Sequence, residues 1–249
     1  MSFKTYLQSA WLENDSLLCV GLDPDIEKLP EILSGHKTPL FEFNRQIIDQ
    51  TAPHCCCFKP QIAYYAAHAA EDQLKQTIDY IKANYPHHPV ILDAKRGDIG
   101  ETAKMYAREA FERYGADAVT VNPYMGGDTL QPFLDYADKG LIVLCRTSNS
   151  GSAEFQALQC EDRSLAHHVA HRSLEWNTQD NIVLVTGATY PQEIAEIRRI
   201  VGDMPLLVPG IGAQGGGLAA VLKNGLNADK TGLIINSSRG IIYASHDQN

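Results

Sequence analysis

The segment VILDAK (residues 90–95) shows the pattern that decides the fold, because a continuous apolar run ends in charged side chains. Seven further short runs of apolar or β-branched residues occur along the chain. They are LLCVGLD (residues 17–23), CCCFKP (55–60), AVTVNP (118–123), LIVLCRT (141–147), IVLVTG (182–187), LLVPGIG (206–212) and GLIINSSR (232–239). Runs that stay apolar without alternation are typical of parallel strands covered on both faces. The sequence therefore predicts eight parallel strands.

Helix-like stretches lie between these runs, and glycine or proline residues close them. They cover residues 40–51, 62–84, 101–114, 163–176 and 191–200. Eight strand–helix units in 249 residues match the size of a (β/α)₈ barrel, whereas an open doubly wound sheet usually has about five or six strands. We therefore expect one α/β domain, a (β/α)₈ TIM barrel, over residues 1–249.

The two ends of the chain need separate treatment. Residues 3–13 are expected to form a helix that covers the bottom of the barrel. Only GIIYASHDQN follows Arg239, which is too short for the usual last helix. The final unit is therefore expected to be stunted.

Composition excludes several classes of protein. The apolar fraction is 44%, as in folded globular chains, and 21 Lys+Arg against 30 Asp+Glu give a net charge of −9. Nucleic acid is not an expected partner, because no stretch rich in Lys or Arg is available to neutralise phosphates. No apolar run approaches the roughly 20 residues that cross a bilayer, and the first residues do not resemble a signal peptide. We expect a cytoplasmic protein with no membrane partner.

Cysteine and histidine give no evidence for a metal site. The six Cys residues lack the CxxC spacing of zinc sites, so we interpret them as reduced thiols that pack as small apolar side chains. His167 and His171 stand four residues apart on a predicted helix, but no third ligand has a matching spacing. No metal is expected.

Charged residues at the ends of the predicted strands are the first candidates for chemistry, because barrel active sites form at the carboxyl ends of the strands. Asp93 and Lys95 are two residues apart in one strand and therefore project to the same side. Lys59 ends the preceding strand and can reach Asp93 if the two strands are neighbours. Alternating charges keep each group ionised, which suits chemistry on an anion. The alternative is a buried ion-pair network that only locks the strand ends.

Asp98 has two interpretations. In DIGE (residues 98–101), Asp98 and Glu101 have the spacing of a capping box, so the Asp98 carboxylate would accept the first N–H groups of the next helix. Spacing alone favours this cap over a catalytic role.

The loops after the last two predicted strands are candidates for phosphate binding. They read PGIGAQGGG (residues 209–217) and NSSRG (residues 236–240), and barrels often bind phosphate with backbone N–H groups at these places. Arg239 adds a cation, and Gln214 is expected to lie over the anion as a lid. Alternatively the glycines only form tight turns. The resemblance to a dinucleotide-binding turn is weak, because the segment comes late and no acidic residue follows at the required distance.

Beyond spacing, the segment LDAKRGDIGET (residues 92–102) closely resembles the DxKxxD signature of orotidine 5′-phosphate decarboxylases. Further segments resemble the longer-chain bacterial subgroup (type 2) of this family in the same order along the chain. They are VGLDPD, FNRQIIDQTAP, FKPQIA, VNPYMGGD, RTSNSGS, LVTGATYP and VPGIGAQGG. The resemblance covers nearly the whole chain. It departs in YYAAHAAEDQL (residues 64–74), which is poorer in glycine than the subgroup, and at the short C-terminus.

The resemblance implies decarboxylation of orotidine 5′-phosphate to UMP and CO₂, without cofactor or metal. It implies that Lys95 donates a proton to C6 and that Asp93, held by Lys59, lies against the departing carboxylate. It also implies a homodimer in which Asp98, Ile99 and Thr102 serve the site of the neighbouring subunit. The implied substrate-binding residues are Asp23 at the ribose, Ser148 at the pyrimidine, and Asn122, Pro209, Gln214, Gly215, Ser238 and Arg239, of which Gln214 and Arg239 hold the phosphate.

Three other functions remain as alternatives. A sugar-phosphate decarboxylase of the same superfamily shares DxKxxD but uses Mg²⁺ and would be sensitive to a chelator. A Schiff-base aldolase would use Lys59 or Lys95, although a lysine beside a carboxylate stays protonated and is a poor nucleophile. A binding protein with an inactive barrel would bind UMP without chemistry.

Overall fold

The barrel predicted from the sequence is confirmed by the structure, a computed structural model that describes residues 1–211 and 217–245. Its eight strands are β1 (Leu18–Leu22), β2 (Cys57–Pro60), β3 (Ile91–Arg96), β4 (Ala118–Val121), β5 (Gly140–Arg146), β6 (Ile182–Thr186), β7 (Leu206–Val208) and β8 (Leu233–Ser237). All the pairings within the sheet are parallel, in the order β2-β1-β8-β7-β6-β5-β4-β3. Two isolated parallel bridges, Phe58 with Val90 and Gln61 with Asp93, join β2 to β3 and close the ring.

Helices connect the strands. They are α1 (Phe3–Glu13), α2 (Pro39–Thr51), α3 (Ala63–Ala66), α4 (Glu71–Asn84), α5 (Gly100–Arg108), α6 (Gln131–Leu134), α7 (Ala153–Gln156), α8 (Leu165–Trp176), α9 (Pro191–Val201), α10 (Leu218–Gly225) and α11 (Arg239–Ile242). A π-helical turn, Glu109–Arg113, continues α5. A two-stranded hairpin of Gln159–Cys160 and Arg163–Ser164 precedes α8. The last helix among the described residues, α11, has four residues.

The prediction of one helix over residues 62–84 is wrong. The segment forms α3 and α4, and Ala69 between them has a φ of +49°. A positive φ in a residue other than glycine breaks a helix. Tyr65, buried in α3, donates its hydroxyl toward the carbonyl of Leu22 at 3.4 Å and accepts from Asn44. These contacts between distant segments orient α3 separately from α4.

The interior of the barrel is a packed apolar core. Side chains from every strand contribute to it, and α1 adds Phe3, Leu7, Ala10 and Trp11. At Gly140, which begins β5, a Cβ atom would lie 2.5 Å from the ring of Phe3. Helix α1 therefore closes the amino-terminal end of the barrel, which confirms the prediction for residues 3–13. A second, larger core lies between the strands and the outer helices.

The thiols agree with their interpretation as packing residues, with one exception. All six Cys are free; five are buried, whereas Cys160 in the hairpin is exposed. Within the described residues no helix is long and apolar enough to span a membrane.

Candidate active site

The carboxyl ends of β2 and β3 bring Lys59 and Asp93 together inside the barrel mouth. The Nζ atom of Lys59 lies 3.0 Å from Oδ2 of Asp93, and the exposed fractions of the two residues are 4% and 8%. The Nζ atom of Lys95 lies 2.6 Å from the other oxygen, Oδ1. Two cations therefore share one carboxylate. The Lys95 side chain is 47% exposed, so its ammonium also faces the open mouth.

The ionisation of this array follows from its charges. Burial alone would lower the pKa of Lys59, but the neighbouring charges of Asp93 and Asp23 hold that pKa above its usual range. Burial alone would raise the pKa of Asp93, but the charges of Lys59 and Lys95 hold that pKa well below its usual range. Lys59 and Asp93 are therefore charged at neutral pH.

Lys95 occupies an unusual backbone conformation. Its φ is +46°, and the pairing of β3 with β4 shifts register between Leu92 and Arg96. Thr120 of β4 lies opposite this irregularity; its hydroxyl donates to Oδ1 of Asp93 at 2.9 Å. The Oγ1 atom of Thr120 accepts the N–H groups of Ala94 at 3.0 Å and Lys95 at 2.9 Å.

Asp23 and Ser238 lie on the side of the mouth formed by β1 and β8. The Oδ1 atom of Asp23 and the Oγ atom of Ser238 are buried and have no hydrogen-bond partner within the described residues. Ser238 packs closely on β1, since a Cβ atom added at Gly21 would lie 2.6 Å from the Cβ atom of Ser238. Unpaired polar atoms at a site mouth are suited to bind the hydroxyl groups of a ligand.

The prediction that Asp98 caps the next helix is wrong. The N-cap position of α5 is Ile99, and no side chain caps it. The Oδ1 atom of Asp98 instead accepts the N–H of Ile99 at 2.8 Å, while Glu101 pairs with Lys104. The reason is local: Gly100, the first helical residue, has a φ of +49°, so the chain bends between Asp98 and the first turn.

The loop of Asp98 is open and partly apolar. Ile99 is 62% exposed, and Thr102 is also exposed. The next loop lies beside it, since a Cβ atom at Gly97 would lie 3.3 Å from the carbonyl of Asn122. Asn122 is exposed, and its Oδ1 accepts the N–H of Tyr124, whose side chain is itself exposed. Among the described residues, no hydrogen bond or ion pair joins Asp98, Ile99 or Thr102 to the Lys59–Asp93–Lys95 array of the same chain.

A buried arginine, Arg146, lies at the end of β5, two residues before Ser148. Arg146 forms an ion pair with Glu193 at 2.6 Å, and its guanidinium carbon lies 3.8 Å from the centre of the Tyr190 ring. It also donates to Ser152 and Gln156, and Gln156 accepts the N–H of Thr147 at 2.8 Å. These contacts link the segment before Ser148 to residues 152–156.

The proposed anion side of the mouth is described only in part. Pro209 follows β7, and its carbonyl accepts the N–H of Ala188 at 2.9 Å. Arg239 begins α11, is exposed, and forms no ion pair with any described residue. Gln214 and Gly215 lie outside the described residues. An exposed guanidinium beside the mouth, without an ion-pair partner among the described residues, is available for an anion.

Two polar residues on the interior side of the strands, Thr120 and Asn236, were not predicted as site residues. Thr120 lies two residues after Ala118 in β4, and Asn236 lies two residues after Ile234 in β8. Ala118 and Ile234 face the barrel interior, so Thr120 and Asn236 lie on the same side of their strands. Counting by two from those apolar positions would have identified both. The Oδ1 atom of Asn236 is buried without a partner among the described residues.

No described group of three or more His, Cys, Asp or Glu side chains has the arrangement of a metal site. His167, considered above as a ligand, contacts Glu196 through Nε2 at 3.2 Å.

Comparisons with known proteins identify the family of the chain. A sequence model for "Orotidine 5′-phosphate decarboxylase / HUMPS family" matches residues 16–249. The orotidine 5′-phosphate decarboxylase of Ralstonia pickettii is 59% identical over 248 residues, which are 99% of this chain and 92% of that protein. That of Cupriavidus necator is 59% identical and covers 100% and 92% of the two chains. The structure of Leishmania donovani OMP decarboxylase is similar with a TM-score of 0.88 at 41% identity, covering 99% of this chain and 93% of that one.

Proposed function

The chain belongs to the orotidine 5′-phosphate decarboxylase / HUMPS family, and on that premise we propose that it converts orotidine 5′-phosphate into UMP and CO₂, the last step of UMP synthesis. The observation that carries the proposal is the Lys59–Asp93–Lys95 array, in which a half-exposed ammonium is fixed beside a buried carboxylate. The 59% identity to a named decarboxylase over the full chain supports the same substrate.

The chemistry requires electrostatic help at one ring atom. Loss of CO₂ from C6 leaves a carbanion in the plane of the pyrimidine ring, which the π system cannot delocalise. An ammonium positioned in advance stabilises that charge as it develops. Lys95 supplies the charge and then transfers its proton to C6, so that the C–C bond electrons end in a C–H bond and Lys95 becomes neutral.

Asp93 acts beside the carboxylate that leaves. Two like charges in close contact raise the energy of the bound substrate, and the repulsion ends when neutral CO₂ forms. Lys59 keeps Asp93 ionised and fixed, as the lowered pKa of Asp93 indicates. Because Lys59 itself is buried and charged, it is not available as a Schiff-base nucleophile.

The rest of the substrate is bound around the mouth. Asp23 binds ribose hydroxyls, Ser148 contacts the pyrimidine, and Arg239 holds the phosphate. Asn122, Pro209, Gln214, Gly215 and Ser238 complete the binding residues. Phosphate contacts remote from C6 contribute to catalysis when they drive loop closure and exclude water, so a substrate without phosphate should lose turnover as well as affinity.

The protein acts as a homodimer with shared sites. Asp98, Ile99 and Thr102 then serve the neighbouring subunit. The exposed apolar side chains of Ile99, Tyr124 and Met125, on the two loops beside the mouth, support this proposal because burial against a second copy would remove them from water.

The remaining parts of the proposal concern the surroundings of the reaction. The chain works as a single barrel domain in the cytoplasm, needs neither cofactor nor metal, and binds no nucleic acid or membrane.

The decisive test is the ultraviolet absorbance of orotidine 5′-phosphate incubated with purified protein that has been treated with EDTA. Loss of the carboxyl group conjugated to the ring should change the spectrum to that of UMP. An unchanged spectrum with demonstrated UMP binding would indicate a binding protein instead. Activity that returns only with Mg²⁺ would indicate the metal-dependent sugar-phosphate chemistry of the same superfamily.

A further inference from the structure

We propose that Thr120 is the positioning residue of the site: its hydroxyl holds both the Asp93 carboxylate and the strained backbone of Lys95. The inference rests on the proposed function, because Thr120 acts through Asp93 and Lys95. Thr120 itself lies outside the DxKxxD signature.

The first argument is the geometry of the irregular strand. In the pairing of β3 with β4, Leu92 is opposite Val119 and Arg96 is opposite Val121. Four steps along β3 therefore match two steps along β4 (96 − 92 = 4; 121 − 119 = 2). The additional residues form a bulge, which leaves N–H groups without their regular strand partners. Lys95 lies in this bulge with a φ of +46°.

Second, one oxygen atom accepts two backbone N–H groups of the bulge. The Oγ1 atom of Thr120 accepts the N–H of Ala94 at 3.0 Å and that of Lys95 at 2.9 Å. It donates its own hydrogen to Asp93 at 2.9 Å. A hydroxyl has one hydrogen and two lone pairs, so its hydrogen-bonding capacity is fully used. The direction of the hydroxyl hydrogen is fixed, since both backbone groups can only donate.

The third argument is burial. Thr120 is 1% exposed, so water does not replace its hydroxyl if the oxygen is removed. Asp93 Oδ1, which accepts from Thr120, is also the atom that accepts from the Lys95 ammonium. Thr120 thus fixes Lys95 at both ends, through the backbone N–H and through the acceptor of the side chain. It does this without facing the substrate as a reacting group.

The chain offers a matched control at the end of β6. Thr186 is fully buried like Thr120, but its Oγ1 has no hydrogen-bond partner among the described residues. The alternation of β6 places Thr186 on the outer face, since Val183 and Val185 face the interior. A Thr→Val change has the same shape at both positions and removes hydrogen bonds at only one.

The experiment compares Thr120→Val, Thr120→Ser and Thr186→Val with the unchanged chain. Steady-state kcat and KM for orotidine 5′-phosphate, UMP affinity and thermal unfolding are measured for each. Thr120→Val should lower kcat by about 10- to 100-fold, the scale of a hydrogen bond to a charged group, while KM and UMP affinity stay within about 3-fold. Thr120→Ser keeps the hydroxyl, so its kcat should stay within about 3-fold of that of the unchanged chain. The kcat of Thr186→Val should stay within the same range.

Three results would overturn the assignment. They are a Thr120→Val enzyme with nearly unchanged kcat, a serine variant as impaired as the valine variant, and a parallel loss of kcat and UMP affinity. If the valine variant does not fold, Thr120→Ala is held to the same criteria; failure of both to fold makes Thr120 a folding residue and also refutes the proposal. Absence of activity in the unchanged chain refutes the proposed function instead.

Discussion

The Nζ atom of Lys59 lies 3.0 Å from Oδ2 of Asp93 across the junction at which the barrel closes, and both side chains are almost fully buried. The pair therefore links catalysis to the closure of β2 against β3. Each charge would be costly to bury without the other.

Removing Lys59 should destabilise the fold. A buried pair that loses one partner costs about 3–5 kcal/mol, and we expect about 2–3 kcal/mol for Lys59→Met because Asp93 keeps Lys95 and Thr120 as donors. Urea denaturation at pH 7 measures the loss. As a control, Lys75→Met breaks an exposed helical pair with Asp79 and should cost less than about 0.5 kcal/mol. Equal effects of the two changes would contradict the buried pair.

The contribution of Asp93 to the free energy of unfolding should decrease as the pH is lowered. Its pKa in the folded chain is lowered, from about 3.9 in an unfolded chain. The carboxylate therefore stabilises the fold above about pH 4, and this contribution is lost as pH falls through the folded pKa. The difference in free energy of unfolding between the unchanged chain and Asp93→Asn should shrink from pH 7 to pH 3. A difference that grows on acidification would mean that burial outweighs the two lysines.

Lys95→Ala should abolish turnover and leave UMP binding measurable. The substitution removes both the cation and the proton donor, so we expect kcat to fall by about three orders of magnitude or more. Single-turnover assays and UMP titration separate the two effects. Lys75→Ala, on the exposed face of α4, provides the control. Near-normal turnover of Lys95→Ala would remove this residue from the mechanism.

Shared sites predict recovery of activity in mixed dimers. Lys95→Ala and Asp98→Ala are each expected to be inactive, but a heterodimer of the two has one site with Lys95 from one subunit and Asp98 from the other. Mixing should therefore restore activity after subunit exchange. A mixture of Lys95→Ala with Lys59→Met should not recover, because both residues act within one subunit. If exchange is demonstrated and the first mixture stays inactive, Asp98 does not act across an interface.

The close approach of Gly187 to Ser148 should not tolerate a side chain. A Cβ atom at Gly187 would lie 2.8 Å from the Cα and N atoms of Ser148. Gly187→Ala should displace the Ser148 loop, raise KM and lower stability by about 1–3 kcal/mol. Gly151→Ala, in the loop that contains Ser148, is the control. A Cβ atom at Gly151 would lie 3.5 Å from its nearest neighbour, Oε1 of Glu154. An alanine at 187 with unchanged kinetics would show that the loop position is unimportant.

The sequence by itself determined the barrel and the core of the site. Eight continuous apolar runs specify strands covered on both faces. The spacing of two residues predicts that Asp93 and Lys95 face one side, although the bulge at Lys95 departs from regular strand geometry. The helix over residues 3–13 was likewise predicted from the sequence. These features follow from the covalent order of neighbouring residues.

Only the tertiary structure decided the features that join distant segments. The closure of β2 on β3 and the break of the helix near Ala69 depend on partners that no local pattern reveals. The bulge at Lys95 is the strongest case. A left-handed lysine is unfavourable alone, and it persists because a threonine 25 residues further along the chain accepts its N–H group.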